Sequence, residues 1–104
     1  MSHARSDHDA DDQLWAAIAE PSRRRLLDLL LRDGDATATA LAAELPFTRQ
    51  AVAKHLAVLA GVGLVEGRRQ GREVRYVVRH DRLDAAIRVL AQVARQWEGH
   101  LRAD

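Results

Sequence analysis

The sequence predicts a mainly α-helical fold with one small β-hairpin: about five helices and a two-stranded arm. Three observations carry the prediction. Apolar residues recur at helical spacing in stretches that proline, glycine and threonine punctuate. One stretch, Glu73–Val78, alternates with period two instead. The two central helices are joined by the tripeptide Pro46-Phe47-Thr48, and helices joined so closely must cross steeply, as in a helix-turn-helix.

The chain has 104 residues, room for one domain. A monomer of this size buries only about two-thirds of its unfolded surface, so a dimer is plausible. The 47% hydrophobic content excludes a wholly disordered chain. No apolar run approaches the roughly 20 residues of a spanning helix, and MSHARSDHDADD lacks the apolar core of a signal peptide. The expectation is a cytoplasmic protein with no membrane contact. There is no cysteine, which excludes disulfides, thiolate metal sites and cysteine nucleophiles.

Residues 1–10 are polar and aperiodic and read as a flexible acidic tail, with the folded domain in 11–104. His3, His8, Asp7 and Asp9 lie in that tail, where a metal site has no fold to hold it. From Asp12 the pattern is helical through Leu14, Trp15 and Ile18. Pro21 suits the first turn of a second helix, with Glu20 as its cap and Leu26, Leu27, Leu30 and Leu31 as its apolar stripe. Gly34 ends it. A third helix spans about Ala38 to Leu45, capped by Thr37, burying Leu41 and Leu45 and stopped by Pro46. Thr48 caps a fourth, Arg49 to Ala60, which Gly61 closes.

The period then changes. Leu64–Gly67 reads as one strand, Arg68–Arg72 as a turn and Glu73–Val78 as the second strand, with Val74, Tyr76 and Val78 on one face. The last helix runs from Asp81 to Leu101. Leu83, Ile87, Leu90, Ala94, Trp97 and Leu101 are spaced 4, 3, 4, 3, 4 along it, a heptad seam. Leu83, Ile87 and Leu90 suit docking on the domain, while the seam's persistence to Leu101 asks for a partner helix.

Charge is segregated. Residues 1–48 carry five Arg against nine Asp and Glu; residues 49–79 carry six Arg and one Lys against two Glu. A basic block in a near-neutral chain is a local patch for a polyanion. On the fourth helix Val52, His55, Leu56 and Leu59 face inward, leaving Arg49, Gln50, Ala53, Lys54 and Ala57 outside. Small alanines let a helix enter a DNA major groove about 12 Å wide. Arg49 can fork onto guanine, Gln50 can pair with adenine, and Lys54 suits a phosphate. Thr48 and the free N–H groups of the helix start offer an anion site. Arg68, Arg69, Arg72 and Arg75 gather at and beside the hairpin tip, where they repel one another unless an anion is near. A helix-turn-helix followed by such an arm is a winged helix-turn-helix.

Other chemistry is less well supplied. His55 lacks a Cys, Asp or Glu at i±3 or i±4 and reads as a hydrogen-bonded structural histidine. His80 and Asp81 begin the last helix and His100 ends it, about 30 Å away at 1.5 Å per residue. Across an antiparallel helix pair they would meet, the one metal geometry the sequence offers. There is no phosphate loop, nucleophile elbow or carboxylate pair, so neither enzyme activity nor a cofactor is expected.

The stretch from Leu14 to Val78 resembles the ArsR-type winged-helix transcriptional regulators of bacteria, and the last helix extends the likeness to about Leu101. The telling segments are AEPSRRRLLDLL (Ala19–Leu30), FTRQAVAKHLAVLAGVGLV (Phe47–Val65) and GREVRYVV (Gly71–Val78). The resemblance implies a homodimer built on the first and last helices, repression at an operator, and DNA contacts from Thr48, Arg49, Gln50, Lys54 and the wing arginines. Metal-sensing members carry cysteines near the recognition helix, or spaced Asp, His and Glu along the last helix. This chain has neither: no His or Glu follows His80 and Asp81 by about a dozen residues. The expectation is therefore a non-metal-sensing branch whose signal is unknown. The rivals are a sensor whose DNA binding is gated by a small-molecule effector, a winged helix that docks an acidic protein, and a metal-responsive repressor using histidines across the dimer.

Overall fold

Each central helix begins where the sequence supplies a cap. The computed structural model describes residues 2–103, and side chains over 11–102. The eight elements are α1 (Ser2–Ala19), α2 (Pro21–Asp33), β1 (Ala36–Thr37), α3 (Ala38–Ala43), α4 (Arg49–Gly61), β2 (Val65–Gln70), β3 (Glu73–Val78) and α5 (His80–Ala103). The Glu20 carboxylate accepts from Arg23 N at the start of α2, Thr37 Oγ1 accepts from Ala40 N, and Thr48 Oγ1 accepts from Ala51 N. At the far end of α2, Gly34 N donates to Leu30 O.

Leu26, Leu30, Leu41, Val52, Leu56, Leu59 and Leu64 are fully buried and form the centre of the core. They come from α2, α3, α4 and the entry to β2, so α3 and α4 are held together through one shared core. Leu31, expected in the apolar stripe of α2, is 45% exposed instead, because Leu26, Leu27 and Leu30 already fill the face turned to α4. Among the described residues no helix is long and apolar enough to cross a membrane.

Several boundaries differ from the sequence pattern. The backbone of α1 is helical back to Ser2, through the segment expected to be an aperiodic tail. Ser2–Ala10 contains no glycine, proline or β-branched residue to interrupt a helix. The tail's histidines and aspartates lie outside the described side chains. α3 stops at Ala43, two residues early. α4 includes Gly61, and the left-handed residue after it is Gly63, with φ of 82°.

The sheet also departs from the expected pair of strands. It has three, in the order β1-β3-β2, because Ala36 and Thr37 pair antiparallel with Tyr76 and Arg75. Arg68 and Arg69 belong to strand β2 and not to the turn. Only Gly71 and Arg72 connect the strands, in register from Val65 opposite Val78 to Gln70 opposite Glu73. Gly71 has φ of 63°, the positive value that a II′ hairpin turn requires at its first central residue. Burial fades along β3, from buried Val78 through half-buried Tyr76 to exposed Val74, so the arm projects from the core.

Candidate nucleic-acid interface

The outer face of α4 follows from its inner face. With Val52, Leu56 and Leu59 buried at i, i+4 and i+7, Arg49, Gln50, Ala53, Lys54 and Ala57 must turn outward, and all five are exposed. Thr48 lies exposed just before them. Its oxygen accepts from Ala51 N at 3.0 Å, which leaves its O–H free to donate. The α4 start therefore presents unpaired backbone N–H groups, a hydroxyl and a guanidinium together.

The arm's arginines are not equivalent. Cross-strand register sets Arg68 directly opposite Arg75 on one sheet face. Like charges so placed repel, and three carboxylates relieve them. Arg68 Nε lies 2.7 Å from Glu66 Oε2; Arg75 Nη2 lies 3.1 Å from Asp35 Oδ1, and its Nη1 3.5 Å from Glu73 Oε2. The hydrogen bond from Arg75 holds the Asp35 carboxyl below its ordinary range against the opposing effect of burial, and the bond from Arg68 does the same for Glu66. The anions that the crowded arginines demand are thus, for two of the four, supplied by the chain itself.

Arg69 and Arg72 differ. Arg69 is paired in register with Val74 and shares the sheet face of Val74 and Tyr76. That face lines an open groove of about 540 Å³, whose other walls include Thr37, Thr39, Arg49 and Arg72. The groove joins two predicted residues, Arg49 of α4 and Arg72 of the hairpin loop, across the intervening end of α3. Thr37, Thr39 and Tyr76 escaped the sequence reading as lining residues, because nothing in the sequence shows that β1 lies against β3. Among the described residues, Arg49, Lys54, Arg69 and Arg72 make no ion pair. Gly67 is fitted to this surface: a Cβ there would stand 3.1 Å from Val74 Cγ1 and 3.3 Å from Tyr76 Cε1.

The expected dimer seam divides along its length. Leu14, Ile18 and Leu83 are half-buried against the core, and Trp15 and Ala94 are half-buried. Ile87, Leu90, Trp97 and Leu101 stand 53%, 50%, 63% and 76% exposed. The expectation that Ile87 and Leu90 dock on the domain is therefore corrected: Ala86 is the buried residue beside Leu83. The apolar stripe of α5 continues past its own core onto an uncovered face.

Among the described residues no three His, Asp or Glu side chains are grouped closely enough to hold an ion. Asp81 is paired with Arg79 at 3.2 Å, at the other end of α5 from His100.

Comparison with known proteins agrees with this geometry. A family model described as a helix-turn-helix domain matches residues 18–68. The transcriptional regulator CmtR of Mycobacterium tuberculosis is 43% identical over 81 residues, spanning 78% of this chain and 68% of that protein. A solved ArsR-like transcriptional regulator from Rhodococcus sp. RHA1 superposes with a TM-score of 0.77 at 36% identity, covering 94% of this chain and 92% of that one. The homodimeric winged helix-turn-helix DNA-binding domain of a possible ArsR-family regulator from Mycobacterium bovis gives a TM-score of 0.73 at 27% identity, covering 88% and 83%. With its helix-turn-helix, its wing and these likenesses together, the chain belongs to the ArsR-type winged helix-turn-helix transcriptional regulators.

Proposed function

We propose that the protein is a homodimeric repressor that reads double-stranded DNA and releases it on a small-molecule signal. The observation that carries this reading is the shared groove between α4 and the wing, where Glu73 also lies but where, among the described residues, Arg49 and Arg72 make no ion pair. α4 enters the major groove. Arg49 and Gln50 read bases, Thr48 and Lys54 hold phosphates, and Arg69 and Arg72 follow the backbone or the adjacent minor groove. Arg68 and Arg75 act mainly as struts that keep the wing straight. The domain comprises residues 11–104, and α1 with α5 forms the dimer, which would cover Ile87, Leu90, Trp97 and Leu101. The homodimeric state of the similar domain from Mycobacterium bovis supports a dimer.

Two reading heads on a two-fold axis engage half-sites about 10 bp, or a multiple of it, apart on one face of the duplex. Hydroxyl-radical footprinting on a duplex selected from a random library should show two protected tracts at that spacing. Protection of one tract, or selection of no common sequence, overturns the proposal and favours a wing that docks an acidic protein. The roles within α4 separate in the same assay. Arg49→Ala should cost roughly 1–3 kcal/mol and relax one base position, whereas Lys54→Ala should weaken all sequences alike.

The signal is read as something other than a thiolate-bound metal. The solved structure of CmtR is described as that of a cadmium metal-sensor, but this chain has no cysteine. Cadmium favours soft thiolate ligands, so a metal response here would need histidines brought together across the dimer.

A further inference from the structure

Arg23 joins three parts of the molecule. Its Nε donates to Ala17 O at 2.7 Å and its Nη2 to Ala16 O at 3.1 Å. Those carbonyls belong to the last turn of α1, where no intrahelical donor reaches them and where a cation is favoured. The third guanidinium nitrogen, Nη1, lies 3.3 Å from His55 Nδ1, on α4. One side chain thus ties the end of a dimerisation helix to the middle of the recognition helix.

The chemistry of this link is one-sided. A guanidinium has donors only, so Nδ1 of His55 must accept. The contact is a hydrogen bond only when the ring is neutral with its proton on Nε2. Glu20, at the α1–α2 junction, waits beside it: its Oε2 lies 3.9 Å from the same Nδ1. From the turn before α4, the Phe47 ring meets the imidazole at 6.3 Å between centroids and brings no charge. Among the described residues, Glu20 and Arg23 are the charged groups in contact with His55 from outside its own helix. The ring is 24% exposed, so protons reach it.

Protonation at Nδ1 would reverse the pattern. The nitrogen would become a donor facing a donor, and two cations would stand 3.3 Å apart. Glu20, an acceptor only, would then be its natural partner. We propose that His55 is a positioning residue for DNA recognition: its neutral form anchors α4 to the end of α1 through Arg23, and its protonation exchanges Arg23 for Glu20 and weakens operator discrimination. The inference rests on the reading of α4 as the DNA-contacting helix. Histidine is the side chain that changes charge between about pH 5 and 8.

Two measurements on the full-length protein test it. Nitrogen-15 NMR of the free protein at pH 8 should show His55 as the Nε2–H tautomer, and the amides of Val52–Ala60 should titrate together with its ring. A proton on Nδ1, or α4 amides that ignore the ring, overturns the proposal whatever the protein does with DNA. The second measurement is the ratio of affinities for a library-selected duplex and a scrambled one, at pH 8 and pH 6. The ratio is used because added positive charge raises both affinities, whereas a displaced helix lowers the selected one. In the wild type the ratio should fall by about tenfold, the order of one lost charge-assisted hydrogen bond. In His55→Gln, which keeps an acceptor but does not titrate, it should stay flat. Equal pH profiles in wild type and variant refute the proposal. Absence of selective binding at either pH instead defeats the DNA reading, and the tautomer then decides the exchange alone.

Discussion

Removing Arg72 should change how DNA binding responds to salt, and removing Arg68 should not. Among the described residues, four cations per protomer on the proposed reading face make no ion pair: Arg49, Lys54, Arg69 and Arg72. With Arg49 on a base, a dimer that seats Lys54, Arg69 and Arg72 on phosphates neutralises about six, and the slope of log K against log salt approaches about −5 at about −0.9 per contact. Arg72→Ala deletes one contact per protomer, so the slope should flatten by about 2. Between 50 and 200 mM salt that difference amounts to roughly a tenfold smaller loss of affinity. Arg68 is already held by Glu66 at 2.7 Å, on the sheet face away from the groove. Its removal should move the slope by well under one. The assay is fluorescence anisotropy of a labelled selected duplex at three salt concentrations. Equal flattening by Arg68→Ala and Arg72→Ala would show that an internal ion pair does not decide which wing arginines reach DNA.

Leu56→Ala should destabilise the fold by about 2–5 kcal/mol in urea unfolding, because a fully buried leucine at the α4 crossing leaves a cavity. Trp97→Ala should shift the protein toward monomer in sedimentation velocity, while leaving the helical circular dichroism per residue largely intact, since Trp97 is 63% exposed and supports no core of its own. The Asp35–Arg75 pair makes stability depend on acid. Asp35 is held below its ordinary value of 3.8, so the pair's contribution is complete above that pH and disappears as the pH falls through the lower folded value. Asp35→Asn should remove that part of the acid transition, and an acid-unfolding curve unchanged by the substitution would contradict it.

The helical frame was legible because each boundary carries its own chemistry. Glu20-Pro21, Thr37 and Thr48 announce helix starts by what their side chains can accept, and the buried leucines of α2 and α4 repeat at helical spacing. The hairpin showed itself through the period of Val74, Tyr76 and Val78. What escaped depends on contacts between distant segments. Strand β1 is two residues long and exists only because β3 offers it backbone partners, so it has no period to read. Arg68 and Arg75 look as available as Arg72 in the sequence. Only the fold brings Asp35 to Arg75 across 40 positions, and Arg23 to His55 across 32. The exposure of the candidate interface residues on α4 was therefore readable, but the division of the wing arginines into paired and unpaired cations was not.

The central claim is selective DNA binding by a dimer. The most direct measurement is an anisotropy titration against the duplex upstream of its own gene, with an excess of scrambled duplex present. The account predicts saturable binding that survives the competitor, at two protomers per site. Binding that the competitor abolishes there, together with failure to select any sequence from a random library, would contradict it.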